Sequence, residues 1–360
     1  MTRQQIDNLI SRRAVPHGER VVQTIETFIS WVIICERFTY KIKRPVQHSF
    51  LNFSTIERRK NFCLQEYYLN RQLAGDMYVE VLPVTNNGSI KIGGNGVVKD
   101  YAVRMKTMNN NNLMSTMLSN GMVSEEQIKD LAARIAVFHS RSREIYIHAN
   151  FNLADKFNDL AGQTSFLSNF MSEDVIESMQ ASIARFQWLI NNLTVRLIQR
   201  VNLGFFRDCH GDLHSGNVFL MDKAVPFDRI EFDSELREID VLNEIAFMCM
   251  DLEYFGQPDL SRLFFETYNL LFPAVLSKDD ENLFLLYKAY RANVCAKVNS
   301  LKARDTADTN QKNSHLRKVT RYLSMMGIYL DQVERNIFGV AMTTGFSGSR
   351  DELAVGKQTV

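Results

Sequence analysis

One stretch of the chain carries residue types and spacing suited to chemistry: Cys209-His210-Gly211-Asp212-Leu213-His214-Ser215-Gly216-Asn217-Val218. An apolar run, a turn over 222–226 and Phe227-Asp228-Arg229-Ile230-Glu231-Phe232-Asp233 follow it. Phosphoryl transfer needs a carboxylate beside the attacking hydroxyl, and hard oxygen ligands that hold Mg²⁺ on the phosphates. Asp212 suits the first task, and Asn217, five residues on, suits the amide ligand. Glu231, fourteen residues beyond Asn217, stands where a second metal carboxylate is expected, with Asp228 and Asp233 as its neighbours. A single strand step decides which of the three faces a cleft. His210 reads as a structural ring that ties down loop backbone, and His214 as a group able to approach a phosphate. Neither has the companion spacing of a zinc ligand.

The elements that must position these residues fall into two sections. Residues 27–35 and 38–43 are β-branched and aromatic runs separated by Glu36-Arg37, which predicts a hairpin. Ser54 opens a capping-box signature, so a helix is expected through Leu73, ending at Gly75. Strands are expected over 78–85 and 100–106, with Gly93-Gly94-Asn95-Gly96 as a hairpin turn that fits no phosphate-loop pattern. After Met108 helical patterns dominate: one begins at the cap Ser124, and others cover about 175–202, 240–254, 259–271, 280–302 and 313–336. The expected fold is α+β and two-lobed: residues 1–106 form an antiparallel sheet with one helix, and 107–340 a mostly helical lobe with the catalytic loop and acceptor site. Residues 341–360 are expected to be a flexible tail.

The run His210-Gly211-Asp212-Leu213-His214, with Asn217, resembles the H-G-D-x-H-x-x-N motif of the aminoglycoside phosphotransferase and choline kinase superfamily, which has a protein-kinase-like fold. Tyr40-Lys41-Ile42-Lys43, Phe50-Leu51, Ile230-Glu231-Phe232 and Ile239-Asp240-Val241 are similar to the bacterial branch called aminoglycoside phosphotransferase family enzymes. The resemblance covers roughly residues 15–335. It implies ATP or GTP with Mg²⁺, Asp212 as catalytic base, and Asn217 and Glu231 as metal ligands; relatives carry Asp where Glu231 stands. It also implies that Lys41 holds the α- and β-phosphates with Glu66 as its ion-pair partner. Lys41 and Lys43 share one strand face, so alternation alone does not choose between them, and Lys41 is favoured by resemblance. Asp240 and Glu244 match an acidic pair that braces the catalytic loop in relatives. The turn near Phe28-Ile29-Ser30, where protein kinases carry a glycine-rich loop, has no glycine. Some relatives continue into a P-loop ATPase domain, but Arg350-Asp351-Glu352 replaces the G-K-[ST] of such a loop, so no second domain is expected.

The implied function is transfer of the γ-phosphoryl group of ATP or GTP to a hydroxyl of a small molecule. The alternatives are a pseudokinase-type nucleotide-binding or protein-interaction module, or nucleotidyl transfer to a protein. With 42 Lys and Arg against 41 Asp and Glu, the chain has no global field that would draw it to nucleic acid. Its apolar runs are too short to span a bilayer, so no membrane partner is expected. Five scattered cysteines and no secretory signal point to reduced thiols in the cytoplasm. The segment 281–304 leans basic, which favours a neutral or modestly anionic acceptor over a polycation, with Arg291 and Lys297 as possible lining residues.

Overall fold

The computed structural model describes residues 1–48, 51–146 and 153–339; the tail expected over 341–360 lies outside them. The β-branched and aromatic runs of the first hundred residues build an antiparallel six-stranded sheet. Its order is Val21–Glu26, Ser30–Cys35, Phe38–Lys43, Val97–Lys106, Tyr78–Asn86 and Ile90–Ile92. The expected hairpin is present, with Val32 opposite Lys41 and Ile33 opposite Tyr40. Alternation then divides the third strand between two faces. Tyr40 and Ile42 join a core with Trp31, Ile33 and Val84. Lys41 and Lys43 point the other way, toward the helix Ile56–Ala74 that carries Glu66.

Three details differ from the expectation. The sheet packs two helices, not one: Arg3–Ser11 sits on the face of Tyr40, where Ile6 and Leu9 are fully buried. Its start is a reciprocal capping box between Thr2 and Gln5. The second helix is capped by Thr55, whose side chain accepts from the Arg58 amide, one residue after the expected Ser54. The turn at Gly93–Gly96 closes no hairpin. It carries the chain across the end of Tyr78–Asn86, which pairs with Ile90–Ile92 on one side and Val97–Lys106 on the other. Gly96 is needed there, because its φ is +147° and a Cβ would lie 2.8 Å from the Asn86 carbonyl oxygen.

Beyond Lys106 the chain is mostly helical. The helix Val241–Tyr254 is buried at every position from Val241 to Leu252, as an all-round apolar helix at the centre of a bundle must be. The run 246–250 is therefore core, and no helix among the described residues is long and apolar enough to cross a membrane. Against this helix pack Pro258–Leu271 and Lys278–Asp305, the first also against Glu125–Arg141 and the second against Thr309–Phe338. Two short antiparallel pairs interrupt the helices: Phe206–Asp208 with Glu238–Asp240, and Val218–Leu220 with Ala224–Pro226. Residues 209–217 are suspended between them, so the loop leaves one strand pair and enters the other.

Candidate active site

The backbone of that loop is held from below by the buried helix Val241–Tyr254. Glu244 accepts the amides of His210 at 2.9 Å and Gly211 at 2.7 Å. One of its oxygens is also 2.9 Å from His139 Nε2, whose other ring nitrogen is 2.7 Å from the Tyr268 hydroxyl. Seven residues on, Asp251 accepts the Ser215 amide at 2.7 Å, so two carboxylates on one helix face clamp both ends of the loop. Arg291, buried, donates to the Gly211 carbonyl at 3.1 Å and to Asn243. Lys297 is paired with Asp159 at 2.6 Å. Asp240 acts one step removed. It caps the helix through the Leu242 amide and takes both arms of the buried Arg200, so it fixes the helix start and not the loop itself.

Gly211 has φ +89°, and a Cβ there would lie 2.9 Å from the Leu236 carbonyl oxygen. Gly211→Ala is expected to destabilise the protein by about 1–3 kcal/mol and to loosen the loop. Denaturant unfolding of the two proteins measures this, and equal midpoints would refute it.

His210 lies inside the loop with Nε2 2.8 Å from the Phe227 carbonyl oxygen, while its Nδ1 accepts the Asp212 amide at 3.3 Å. Burial pushes its pKa down, so at neutral pH the ring is neutral and, with Nδ1 accepting, Nε2–H is the donor. The Asp212 carboxylate is 42% exposed and half open to solvent. Its Oδ2 accepts Asn217 Nδ2 at 2.9 Å, and the same nitrogen donates to the Asp212 carbonyl at 3.0 Å. Asn217 Nδ2 is thereby committed and Oδ1 is left for another partner. His214 Nε2 stands 3.6 Å from Asp212 Oδ2, while Nδ1 accepts the Gly216 amide. Burial opposes ionisation of Asp212, but the His214 and His210 rings and Arg291 hold its carboxyl well below the ordinary range. That shift favours the ionised carboxylate as an acceptor at neutral pH.

Opposite the loop, the face of the third strand presents both lysines. Lys41 Nζ is 2.9 Å from Glu66 Oε1 and 2.6 Å from Asp228 Oδ1. Lys43 Nζ is 2.7 Å from Glu66 Oε2 and bonds Glu231 Oε1. Glu66 is thus shared by the two lysines that alternation placed on one face. The carboxylates beyond the strand pair separate by burial. Glu231 is 5% exposed and engaged by the fully buried Lys43, while the Asp228 side chain is 44% exposed on the open side. Asp228 has φ +60°, a left-handed conformation that Asp tolerates, and it breaks the regular alternation that was to decide among Asp228, Glu231 and Asp233. The structure therefore puts Asp228, not Glu231, beside the open site. An all-oxygen donor set of Asn217 Oδ1 and the Asp228 carboxylate fits a hard divalent cation; both carboxylates are paired with a lysine, but Asp228 is half-exposed and Glu231 is buried.

Two of these carboxylates tie stability to pH. Burial opposes the charge of Glu66, but Lys41 and Lys43 lower its pKa from the ordinary 4.5 to about 2. Glu244 goes from 4.5 to about 2, with burial outweighed by His139, His210 and the Gly211 amide. A depressed pKa means that the unfolded chain binds protons first, so this stability is complete above pH 4.5 and lost as pH falls toward 2. Urea midpoints are expected to hold steady from pH 7 to 5 and to fall steeply below. A flat profile down to pH 3 would contradict the assignment.

Sequence reasoning missed Asp251 as a member of the site and held Lys43 only as the alternative to Lys41. Asp251 was legible, being seven residues from Glu244 on one helix. The role of Lys43 depends on a carboxylate nearly two hundred residues away.

No protein-family model matches the chain. It is 28% identical over 288 residues to the uncharacterized protein Rv2004c of Mycobacterium tuberculosis (strain ATCC 25618 / H37Rv), a match that covers 78% of this chain. The chain spans about half the length of the curated relatives it matches, 55% in this case. Among solved structures, choline kinase from Cryptosporidium parvum Iowa II superposes with TM-score 0.55 at 11% identity, over 91% of this chain and 97% of that one. A GDP and kanamycin complex of APH(2")-IIia superposes with TM-score 0.51 at 10% identity, over 90% of this chain and 99% of that one. The chain therefore has the two-lobed fold of the choline kinases and aminoglycoside phosphotransferases, as the resemblance in its loop implied.

Proposed function

We propose that the protein transfers the γ-phosphoryl group of ATP or GTP to a hydroxyl of a small molecule. The observation that carries this reading is the pairing of Asp212 with Asn217 on a braced loop, facing Lys41 on the Glu66 carboxylate. Asp212 Oδ1 is free to take the hydrogen bond of an acceptor hydroxyl, orienting its oxygen for in-line attack and receiving its proton as the new P–O bond forms. The leaving group is the nucleoside diphosphate. Lys41 would exchange Asp228 for the α- and β-phosphates, so the pair seen here is what a nucleotide displaces. Asn217 and Asp228 are the residues we assign to Mg²⁺, which when bound neutralises charge on the phosphate oxygens. Glu231 keeps a structural task through Lys43. The His214 imidazole, whose pKa burial lowers but Asp212 and Asp251 raise above its ordinary value, adds positive character beside the reacting oxygens.

For the acceptor we favour a neutral or modestly anionic molecule. The carboxylates nearest the loop on the helical side, Glu244 and Asp251, are taken up by backbone amides, and Glu253 by Lys288 and Tyr329. Little acidic surface is left there to attract a polycation. Cytoplasmic placement follows from the same reading, since the nucleotide is found there.

Thermal unfolding with and without Mg-ATP or Mg-GTP tests the first step: stabilisation is expected with at least one. A metabolite panel monitored for ADP or GDP release then seeks the acceptor. Absence of stabilisation by any Mg-nucleotide would sink the catalytic reading and leave a binding module.

A further inference from the structure

A concavity lies beside the loop, with Asp212 not in its lining. It encloses about 720 Å³ between the end of the helix Ile56–Ala74, the helix Glu125–Arg141 and the segment around Asp208 and Arg229. Its floor is apolar, made by Leu73, Val137, Phe138 and Pro226, and the Arg229 guanidinium lies 5.1 Å over the Phe138 ring. Its rim is cationic: Arg134, Arg141 and Arg143.

The charges here do not balance. Arg134 is paired with Asp130 and Arg143 with Glu238. Arg229 and Arg237 share one carboxylate, that of Asp208, at 2.8 and 2.6 Å. The Arg141 guanidinium is exposed and has no ion pair among the described residues. Five guanidinium groups thus face three carboxylates. One of the five, Arg229, is 1% exposed, so part of the excess sits where water screens it poorly.

We propose that this cavity binds a small organic anion: a flat aromatic or acyl body on the apolar floor, with a carboxylate or phosphate group at the arginine rim. The shape suits such a ligand because apolar contact supplies affinity and the planar guanidinium forks fix the anionic end. The cavity is wired to the candidate active site from both lobes. Arg229 donates to the carbonyls of Asp208 and Cys209, at the start of the loop, and to Gln72 Oε1 on the helix that carries Glu66. Asn70 on that helix accepts the Arg229 amide at 2.8 Å. A ligand that packs against Leu73 and Arg229 therefore steadies the Glu66 helix against the loop. This site stands independently of the transfer chemistry, because its readouts are binding and backbone protection.

The test uses 2-naphthyl phosphate and 2-naphthoate as probes, with neutral 2-naphthol as control, followed by fluorescence titration of the full chain. At least one anionic probe is expected to bind about tenfold tighter than 2-naphthol. Arg141→Glu should weaken it by about tenfold or more, and Val137→Trp, which fills the cavity from an exposed helix position, should abolish it. Lys41→Met, in the cleft, should leave it unchanged. Hydrogen exchange should show slower exchange at 66–73 and 208–212 when the probe is bound. Which probe binds identifies the anionic group. Binding unaffected by Val137→Trp and Arg141→Glu, binding lost in Lys41→Met, equal binding of 2-naphthol, or no binding at about 1 mM would each overturn the proposal.

Discussion

Asp212→Asn is expected to lower kcat by about 10²–10⁴-fold while leaving stabilisation by Mg-nucleotide intact. The substitution keeps the size and planarity of the side chain. Its consequence is set by Asn217, whose Nδ2 already donates to Asp212 Oδ2 at 2.9 Å. An asparagine at 212 must turn its own oxygen toward that donor, which points its NH₂ at the place where the acceptor hydroxyl would lie. A donor then meets a donor, and the hydroxyl is neither oriented nor relieved of its proton. Because neighbouring cations hold the Asp212 carboxyl well below its ordinary range, the wild-type rate should show no acidic limb from Asp212 itself. A shift in that limb cannot explain the loss. The check is acceptor-dependent nucleoside diphosphate release, wild type against variant. Equal release from both would remove Asp212 from the role assigned to it.

The chemistry of the loop was legible because it lies in nine consecutive residues, where offsets are fixed by the chain itself. The hairpin was legible too, since strand alternation alone placed Lys41 and Lys43 on one face and predicted that either could meet Glu66; both do. Alternation failed where the backbone is irregular. A single strand step was expected to decide among Asp228, Glu231 and Asp233, but Asp228 at φ +60° turns the chain, so that its half-exposed carboxylate meets Lys41 and the buried Glu231 meets Lys43. The N-terminal helix was missed although Thr2 and Gln5 hold a capping box at the usual spacing, because a helix of only nine residues is stable only with the sheet beneath it. The arginines that lock the loop, Arg229 and Arg291, act through carbonyls and side chains far along the chain. No local pattern announces such contacts.

The buried charges make Lys43, not Glu66, the position whose loss should be felt most in stability. Lys41 and Lys43 face three carboxylates: Glu66, Asp228 and Glu231. Removing Glu66 leaves Lys41 on Asp228 and Lys43 on Glu231, two pairs that still balance. Removing Lys43 leaves Glu231 at 5% exposure without its ion-pair partner, and breaks a link from the sheet of one lobe to the segment that follows the catalytic loop in the other. Lys43→Met is therefore expected to cost about 3–5 kcal/mol at neutral pH, more than Glu66→Gln. Burial already raises the Glu231 pKa above the ordinary 4.5 despite Lys43, and without that lysine the rise must grow. A raised native pKa favours the folded state below the unfolded value and disfavours it as pH climbs through the native one, so the variant's deficit should shrink from pH 7 to pH 5. Adding Glu231→Gln, which removes the stranded charge, should restore most of the lost stability. Urea unfolding of the wild type, both single variants and the double variant at the two pH values measures the coupling. If Lys43→Met costs the same whether or not Glu231 is present, the buried pair is not what holds the two lobes in register.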